Sequence, residues 1–455
     1  MNQRLIVHNI GHLVTMDPQR RVLKDAHVVM EDGWIRTVGT GPAPKFEDAS
    51  TVDAKGGVCL PGMANTHHHM FQNMARAYTP ISNLPLLPWL AGHMPLWQTF
   101  NPDDLYLATQ VALAELMLSG CTISCDHHYV FPKGCSPELM DAGFHAGHDI
   151  GSRYVACRGS LNKEREAMPF WSLQTTDVIL SDCQRLFEKF HDKEPGSMSQ
   201  LALAPCTVFG CDKDIYVETA IMARKLGLRM HTHTGETVPE NEVAMKDFGM
   251  RPIERLKEYG WDGDNVWMAH GIHFTDAEVE HIGKSKMGVA HCPCSNMRLG
   301  SGVCRVNDLR DAGATVSLGV DGSASNDSGH MLNEARAALF LTRVVHGAES
   351  MTVEKVLEMA TLEGARNLGR GHDLGSIELG KCGDLAIFPA EDIWSNGAEN
   401  QLHGLLLCHP RNVDTLIIQG KIRVANGNIV GLDLPILLEK HRKAARRLHQ
   451  SVAKH

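Results

Sequence analysis

The run Thr66-His67-His68-His69 directly follows an apolar stretch, Val58-Cys59-Leu60-Pro61-Gly62-Met63-Ala64. A strand turns alternate side chains to the same face, so His67 and His69 can reach one ion while His68 points elsewhere. Two neutral imidazoles at a strand end suit a zinc ion. The chain holds 26 histidines, so this pattern alone decides little. Further groups of the same chemistry recur downstream, each in or just past an apolar run: His231-Thr232-His233, Glu236, His270 and Asp321. His67, His69, His233 and Asp321 would give three imidazoles and a carboxylate, leaving a position for water. A bound ion would lower that water's pKa from 15.7 to roughly 7. Asp321 could then accept the water's proton. Glu236, three residues past His233, could donate a proton to a substrate heteroatom. His270 could stabilise an oxygen that develops negative charge. His231 shares the face of His233 but lies a layer deeper, which suits a buried hydrogen-bonded support.

Weaker candidates surround these. Gln72 offers a donor and an acceptor to a ring amide, Arg158 could hold a substrate carbonyl, and Trp89 could lid a planar ring. Asp126, His127 and His128 are expected to supply acceptors behind metal-bound imidazoles. Asn296 and the segment Ser323 to Asn326 are expected to shape the far wall.

Such groups need strand ends to hold them. Eight apolar runs begin at Val58, Thr122, Arg153, Leu201, Arg229, Asn265, Gly288 and Thr315, and segments of helical period separate several of them. The first run extends from Val58 to Asn65. Alternating β and α segments with strongly apolar strands argue for a parallel sheet. Eight units over ~300 residues predict an α/β fold, a (β/α)₈ barrel of the TIM type with its active site at the C-terminal strand ends. Both chain ends read instead as short strands and turns, expected to form one small β-sandwich. The expected organisation is 1–56 with 371–432 as the sandwich, 57–370 as the barrel and 433–455 as a C-terminal helix.

Composition excludes several alternatives. The net charge of −9 and 6% aromatic content favour neither a polyanionic partner nor a base-stacking platform, so no nucleic acid is expected. The basic stretch Lys440 to Arg447 reads as the solvated face of an amphipathic helix. The 13 scattered cysteines suggest reduced thiols, and Cys292 and Cys294 read as buried strand-end thiols rather than a metal clip. No signal peptide or membrane span is evident, which predicts a cytoplasmic protein with no membrane partner.

The motifs resemble the amidohydrolase superfamily. The matching stretches are Pro61 to His69, His231-Thr232-His233-x-x-Glu236, Ala269-His270, His291-Cys292-Pro293-x-Ser295-Asn296, Gly319-Val320-Asp321-Gly322 and Gly375 to Leu385. The His-x-x-Glu form, without an evident bridging lysine, implies one metal ion per subunit: Zn²⁺, with Fe²⁺ or Mn²⁺ as alternatives. Asp126 to Pro132, Ala269 to Phe274, Ser295 to Gly302 and Asp321 to Asp327 resemble the members that deaminate 8-oxoguanine. The resemblance therefore implies hydrolysis of an aminated heterocycle, a small-molecule substrate, with 8-oxoguanine yielding urate and ammonia. Isoxanthopterin and hydroxyatrazine-type triazines are the alternative rings. A homodimer or larger homo-oligomer is implied in the same way. Glu236 would protonate the ring nitrogen, His270 would stabilise the tetrahedral intermediate, and Asp321 would pass a proton to the departing ammonia. A barrel kept only as a silent scaffold would be expected to lose the ligands present here. One departure is Thr234-Gly235 where Leu-Ala is expected, a pair anticipated at the cavity mouth.

Overall fold

The computed structural model describes residues 3–164, 173–390 and 392–452. Among them, eight strands pair in parallel order around a barrel. In sequence they are Met63–Asn65, Cys121–His128, Arg153–Ser160, Ser199–Pro205, Arg229–Thr234, Val266–His270, Gly288–His291 and Thr315–Leu318. The seam between the last strand and the first is bridged by the Thr66 amide, which donates to the Leu318 carbonyl at 3.1 Å. Above it, His68–His69 pairs in parallel with Asp321–Gly322. The barrel of the TIM type is thus as the alternating pattern predicts.

One expected strand divides. Val58–Pro61 leaves the barrel and pairs with Leu385–Phe388 and with His12–Leu13 of the terminal sheet. Only Met63–Asn65 lines the barrel. Gly62, between them, permits the transfer: a Cβ there would fall 2.2 Å from Thr122 Oγ1. An unbroken apolar run carries no mark of which sheet each half joins.

Both chain ends supply the second β unit. Its nine strands are hydrogen-bonded as one sheet, with a core that includes Val7, Ile10, Leu13, Val28, Ile35, Ile387 and Ile417. Arg153, at the start of the third barrel strand, joins this unit to the barrel. It makes a two-pronged bond to Asp384, both contacts 2.9 Å, and donates to the Ser197 carbonyl. The C-terminal helix Leu434–Val452 packs over the segment that follows His69. His441 bonds Asn73 Oδ1 at 2.8 Å and His449 donates to the Met74 carbonyl at 3.0 Å. The basic stretch is therefore carried on a helix whose other face clamps the site's first loop. No helix among the described residues is long and apolar enough to cross a membrane.

Arg153 and Asp384 are 1% and 5% exposed, so removing either leaves a buried charge unpaired. Arg153→Ala is expected to lower the unfolding free energy by about 3–5 kcal/mol. Urea denaturation checks this, and an unchanged midpoint would refute the coupling of the two units.

Candidate active site

His67 and His69 leave the first barrel strand, His233 comes from the fifth, and Asp321 follows the eighth. Each imidazole has its Nδ1–H committed. His69 Nδ1 donates to the His127 carbonyl at 2.6 Å, and His233 Nδ1 donates to the Cys206 carbonyl at 2.7 Å. His231 Nδ1 donates to the Trp267 carbonyl at 2.9 Å, so its Nε2 is an acceptor; His67 Nδ1 donates to it at 2.8 Å. All three remaining Nε2 atoms therefore carry lone pairs.

Those lone pairs converge. His69 Nε2 and His233 Nε2 lie 3.1 Å apart, although neither has a hydrogen to offer the other. His67 Nε2 is buried with no hydrogen-bond partner. Asp321 Oδ1 lies 3.3 Å from His67 Nε2 and 3.4 Å from His69 Nε2. Burial, then neighbouring imidazoles, pushes His69 down to about 3 and lowers His233 well below the usual range. Burial opposes ionisation of Asp321, but the charge of neighbouring imidazoles, His270 among them, holds its carboxyl well below the usual range. Facing lone pairs beside a carboxylate are costly in isolation and fit a divalent cation. His127 also brings a ring nitrogen within 4.8 Å of donor atoms of His67 and His233. Its Nε2 donates to the Ala204 carbonyl at 2.9 Å and its ring stacks on His233 at 4.8 Å. His69, opposed to both His233 and Asp321, completes the donor set better.

The other Asp321 oxygen, Oδ2, accepts from Ser295 Oγ at 2.5 Å and Ser325 Oγ at 3.2 Å. His270 donates Nδ1–H to Asn296 Oδ1 at 3.0 Å, turning Nε2 toward Glu236 Oε2 at 3.6 Å. Burial disfavours the His270 imidazolium, yet the Glu236 and Asp321 carboxylates outweigh it and raise the pKa. Burial pushes Glu236 up to about 7, with His270 opposing and Asp321 adding to the rise. His270 and Asp321 hold φ of +78° and +59°, a region unfavourable for non-glycine residues. Such strain persists where surrounding contacts overdetermine the backbone, at about 1–3 kcal/mol per residue.

These groups open onto a cavity walled by Leu86, Leu90, Met94, Leu161, Phe209 and Leu299. Gln72 and Trp89 are on its wall. Gln72 donates to Tyr129 Oη at 3.3 Å, while Gln72 Oε1 and Trp89 Nε1 are buried without partners. Tyr129, Thr207 and Cys206 also line the cavity, and nothing in their spacing marks them in the sequence.

Three expectations need correction. Arg158 does not line the cavity. It bonds Asp182 on the helix Thr176–Phe190 at 3.0 Å and Gln174 at 2.8 Å, over the Phe131 ring. Its place on the strand directs it to the helix layer. Thr234 and Gly235 are likewise absent from the cavity wall. Thr234 Oγ1 donates to the His233 carbonyl, and Gly235, at φ +69°, packs against Phe274. The departure from Leu-Ala alters the turn beneath Glu236, not the surface that meets a ligand. Asp126 does not accept from an imidazole: its carboxylate accepts from the Met70 amide and the Tyr154 hydroxyl, both at 2.9 Å, while the His127 carbonyl takes the His69 proton. His128 instead packs its ring against Phe71 and Phe131.

A model of the Amidohydrolase family matches residues 58–423. The chain belongs to the amidohydrolase family. An 8-oxoguanine deaminase of Pseudomonas aeruginosa is 43% identical over 425 residues, 92% of this chain and 94% of that protein. A hydroxydechloroatrazine ethylaminohydrolase of Pseudomonas sp. strain ADP is 34% identical over 441 residues, 92% of this chain and 91% of that one. An atrazine chlorohydrolase of Arthrobacter aurescens TC1, crystallised with zinc, superposes with a TM-score of 0.92. It is 27% identical and covers 97% of this chain and 100% of its own. This amidohydrolase is thus a metal-dependent aminohydrolase.

A Cβ on Gly235 would fall 2.6 Å from Phe274 Cε1 and add strain at positive φ. Gly235→Ala is expected to cost about 1–3 kcal/mol of stability. Chemical denaturation tests it, and an unaltered midpoint would show that the turn relaxes freely.

Proposed function

We propose that this amidohydrolase is a mononuclear zinc enzyme that hydrolytically deaminates an aminated purine-like ring, with 8-oxoguanine as substrate and urate and ammonia as products. One observation carries the chemistry: three imidazoles with committed Nδ1–H groups turn their Nε2 lone pairs toward one another and toward Asp321. His67, His69, His233 and Asp321 would hold the ion. Iron or manganese would suit the same nitrogen and oxygen donors. When bound, zinc lowers the pKa of a water to roughly 7 and so makes hydroxide available at neutral pH.

The chain's own groups direct the protons. Glu236, poised near neutrality by burial, gives its proton to the ring nitrogen beside the carbon under attack. His270 donates Nε2–H to the oxygen that becomes the new carbonyl, held in that orientation by Asn296. Asp321, oriented by Ser295 and Ser325, accepts one proton of the attacking water and passes it to the exocyclic nitrogen, while the second water proton returns to Glu236 as the new carbonyl forms. The water oxygen bonds to the ring carbon, the bond to the exocyclic nitrogen breaks, and ammonia leaves.

Choice of ring rests on the extended similarity to the 8-oxoguanine deaminase. The cavity supports it: a planar ring with both N–H and C=O edges would satisfy Gln72 Oε1 and Trp89 Nε1, buried wall atoms without partners among the described residues. A triazine aminohydrolase is the second reading, favoured by the apolar wall and by similarity to the hydroxydechloroatrazine enzyme. Isoxanthopterin is the third ring to compare.

Ammonia release from 8-oxoguanine, guanine, isoxanthopterin and hydroxyatrazine by the zinc-loaded enzyme tests the assignment. Preference for 8-oxoguanine is expected; release confined to hydroxyatrazine would transfer the enzyme to the triazine reading. Glu236→Gln should retain zinc and lose at least about a hundredfold in turnover. Near wild-type turnover would remove Glu236 from its role. Because the acid form is the active one, kcat should fall as pH rises through about 7. A kcat that stays level or rises across that range would contradict this protonation state.

A further inference from the structure

The turn that carries Glu236 rests on a second acid. Glu240 lies in the first turn of the helix Val238–Phe248 and is 4% exposed. Its Oε2 accepts the Glu236 amide hydrogen at 2.9 Å, and the Gly235 amide adds to that hydrogen bonding. Glu240 Oε1 is buried without a partner, and Glu240 makes no ion pair among the described residues. It does not line the cavity.

Helix capping does not account for this placement. Thr237 occupies the N-cap with no side-chain bond, and a short hydroxyl or amide could serve the helix end without burying a carboxyl. Burial pushes Glu240 up to about 8, so at neutral pH it is mainly an uncharged acid. Glutamine is then its close isostere.

We propose that Glu240 is a positioning residue, whose carboxyl clamps the Gly235–Glu236 turn through the Glu236 amide so that the Glu236 carboxyl meets His270 across the cavity. The inference rests on the reading of Glu236 as the proton donor. Gly235, in the left-handed region, makes the turn tight, and the Glu240 clamp sets how far Glu236 reaches beyond it. Displacement of an acid by about 1 Å is enough to cost a large factor in rate while leaving ring binding to other residues.

The test compares Glu240→Ala and Glu240→Gln in the full-length, zinc-loaded enzyme by kcat, KM, metal content and hydrogen exchange of the Glu236 amide. Glu240→Ala should lower kcat about tenfold or more, with KM within about threefold and zinc retained. Exchange of the Glu236 amide should accelerate by at least about tenfold as its acceptor is lost. Glu240→Gln, whose amide oxygen still accepts that hydrogen, should recover most of kcat and of the protection. Should the alanine variant not fold, Glu240→Asp, one methylene too short to reach, takes its place. Wild-type kcat in Glu240→Ala, unchanged protection of the Glu236 amide, or equal damage from Gln and Ala would overturn the clamp. If the wild type released ammonia from none of the four rings, the heterocycle reading would fail, and amide exchange would still decide the clamp.

Discussion

Everything at this site depends on where three imidazole protons go. A neutral histidine has one N–H and one lone pair, and a ligand must expose the lone pair. Here the carbonyls of His127 and Cys206, and the ring of His231, take the three Nδ1 hydrogens. His231 can do so because Trp267 takes its own proton in turn. Trp267 is fully buried, stacks on His231 at 4.4 Å, and donates its indole N–H to the Thr66 carbonyl beside His67. Trp267 and His231 thereby orient His67 from two directions.

Burial then divides the labour among the acids. Asp321 stays ionised because the His270 imidazole and two serine hydroxyls favour its charge, whereas Glu236 is held by burial to about 7. Two carboxyls whose surroundings push them apart in this way provide an acceptor and a donor in one cavity. Positive φ at both His270 and Asp321 shows that the strand ends bend to aim these groups inward. The C-terminal helix adds its weight at His441 and His449, holding the loop after His69.

Much of this was legible in the residues. His67, His69, His233, Glu236, His270 and Asp321 stand at strand ends, because apolar runs terminate there and period-2 alternation selects the inward residues. His231 was legible as a support for the same reason. Arg158 was not, since alternation gives two faces without saying which one the barrel encloses at the rim. The division of the run from Val58 to Asn65 was also hidden: both halves are buried, one in each sheet, and burial looks the same in either.

The amino-acid sequence by itself determined the barrel, a set of candidate metal-binding donors and a candidate acid beside them. Those properties follow from residue type and local period. Tertiary structure decided the tautomers, the proton affinities of Glu236 and His270, the partners Asn296, Ser295 and Ser325, and the clamp from Glu240. Each of these depends on groups brought together from distant strands, or on burial, and neither is encoded in the spacing along the chain.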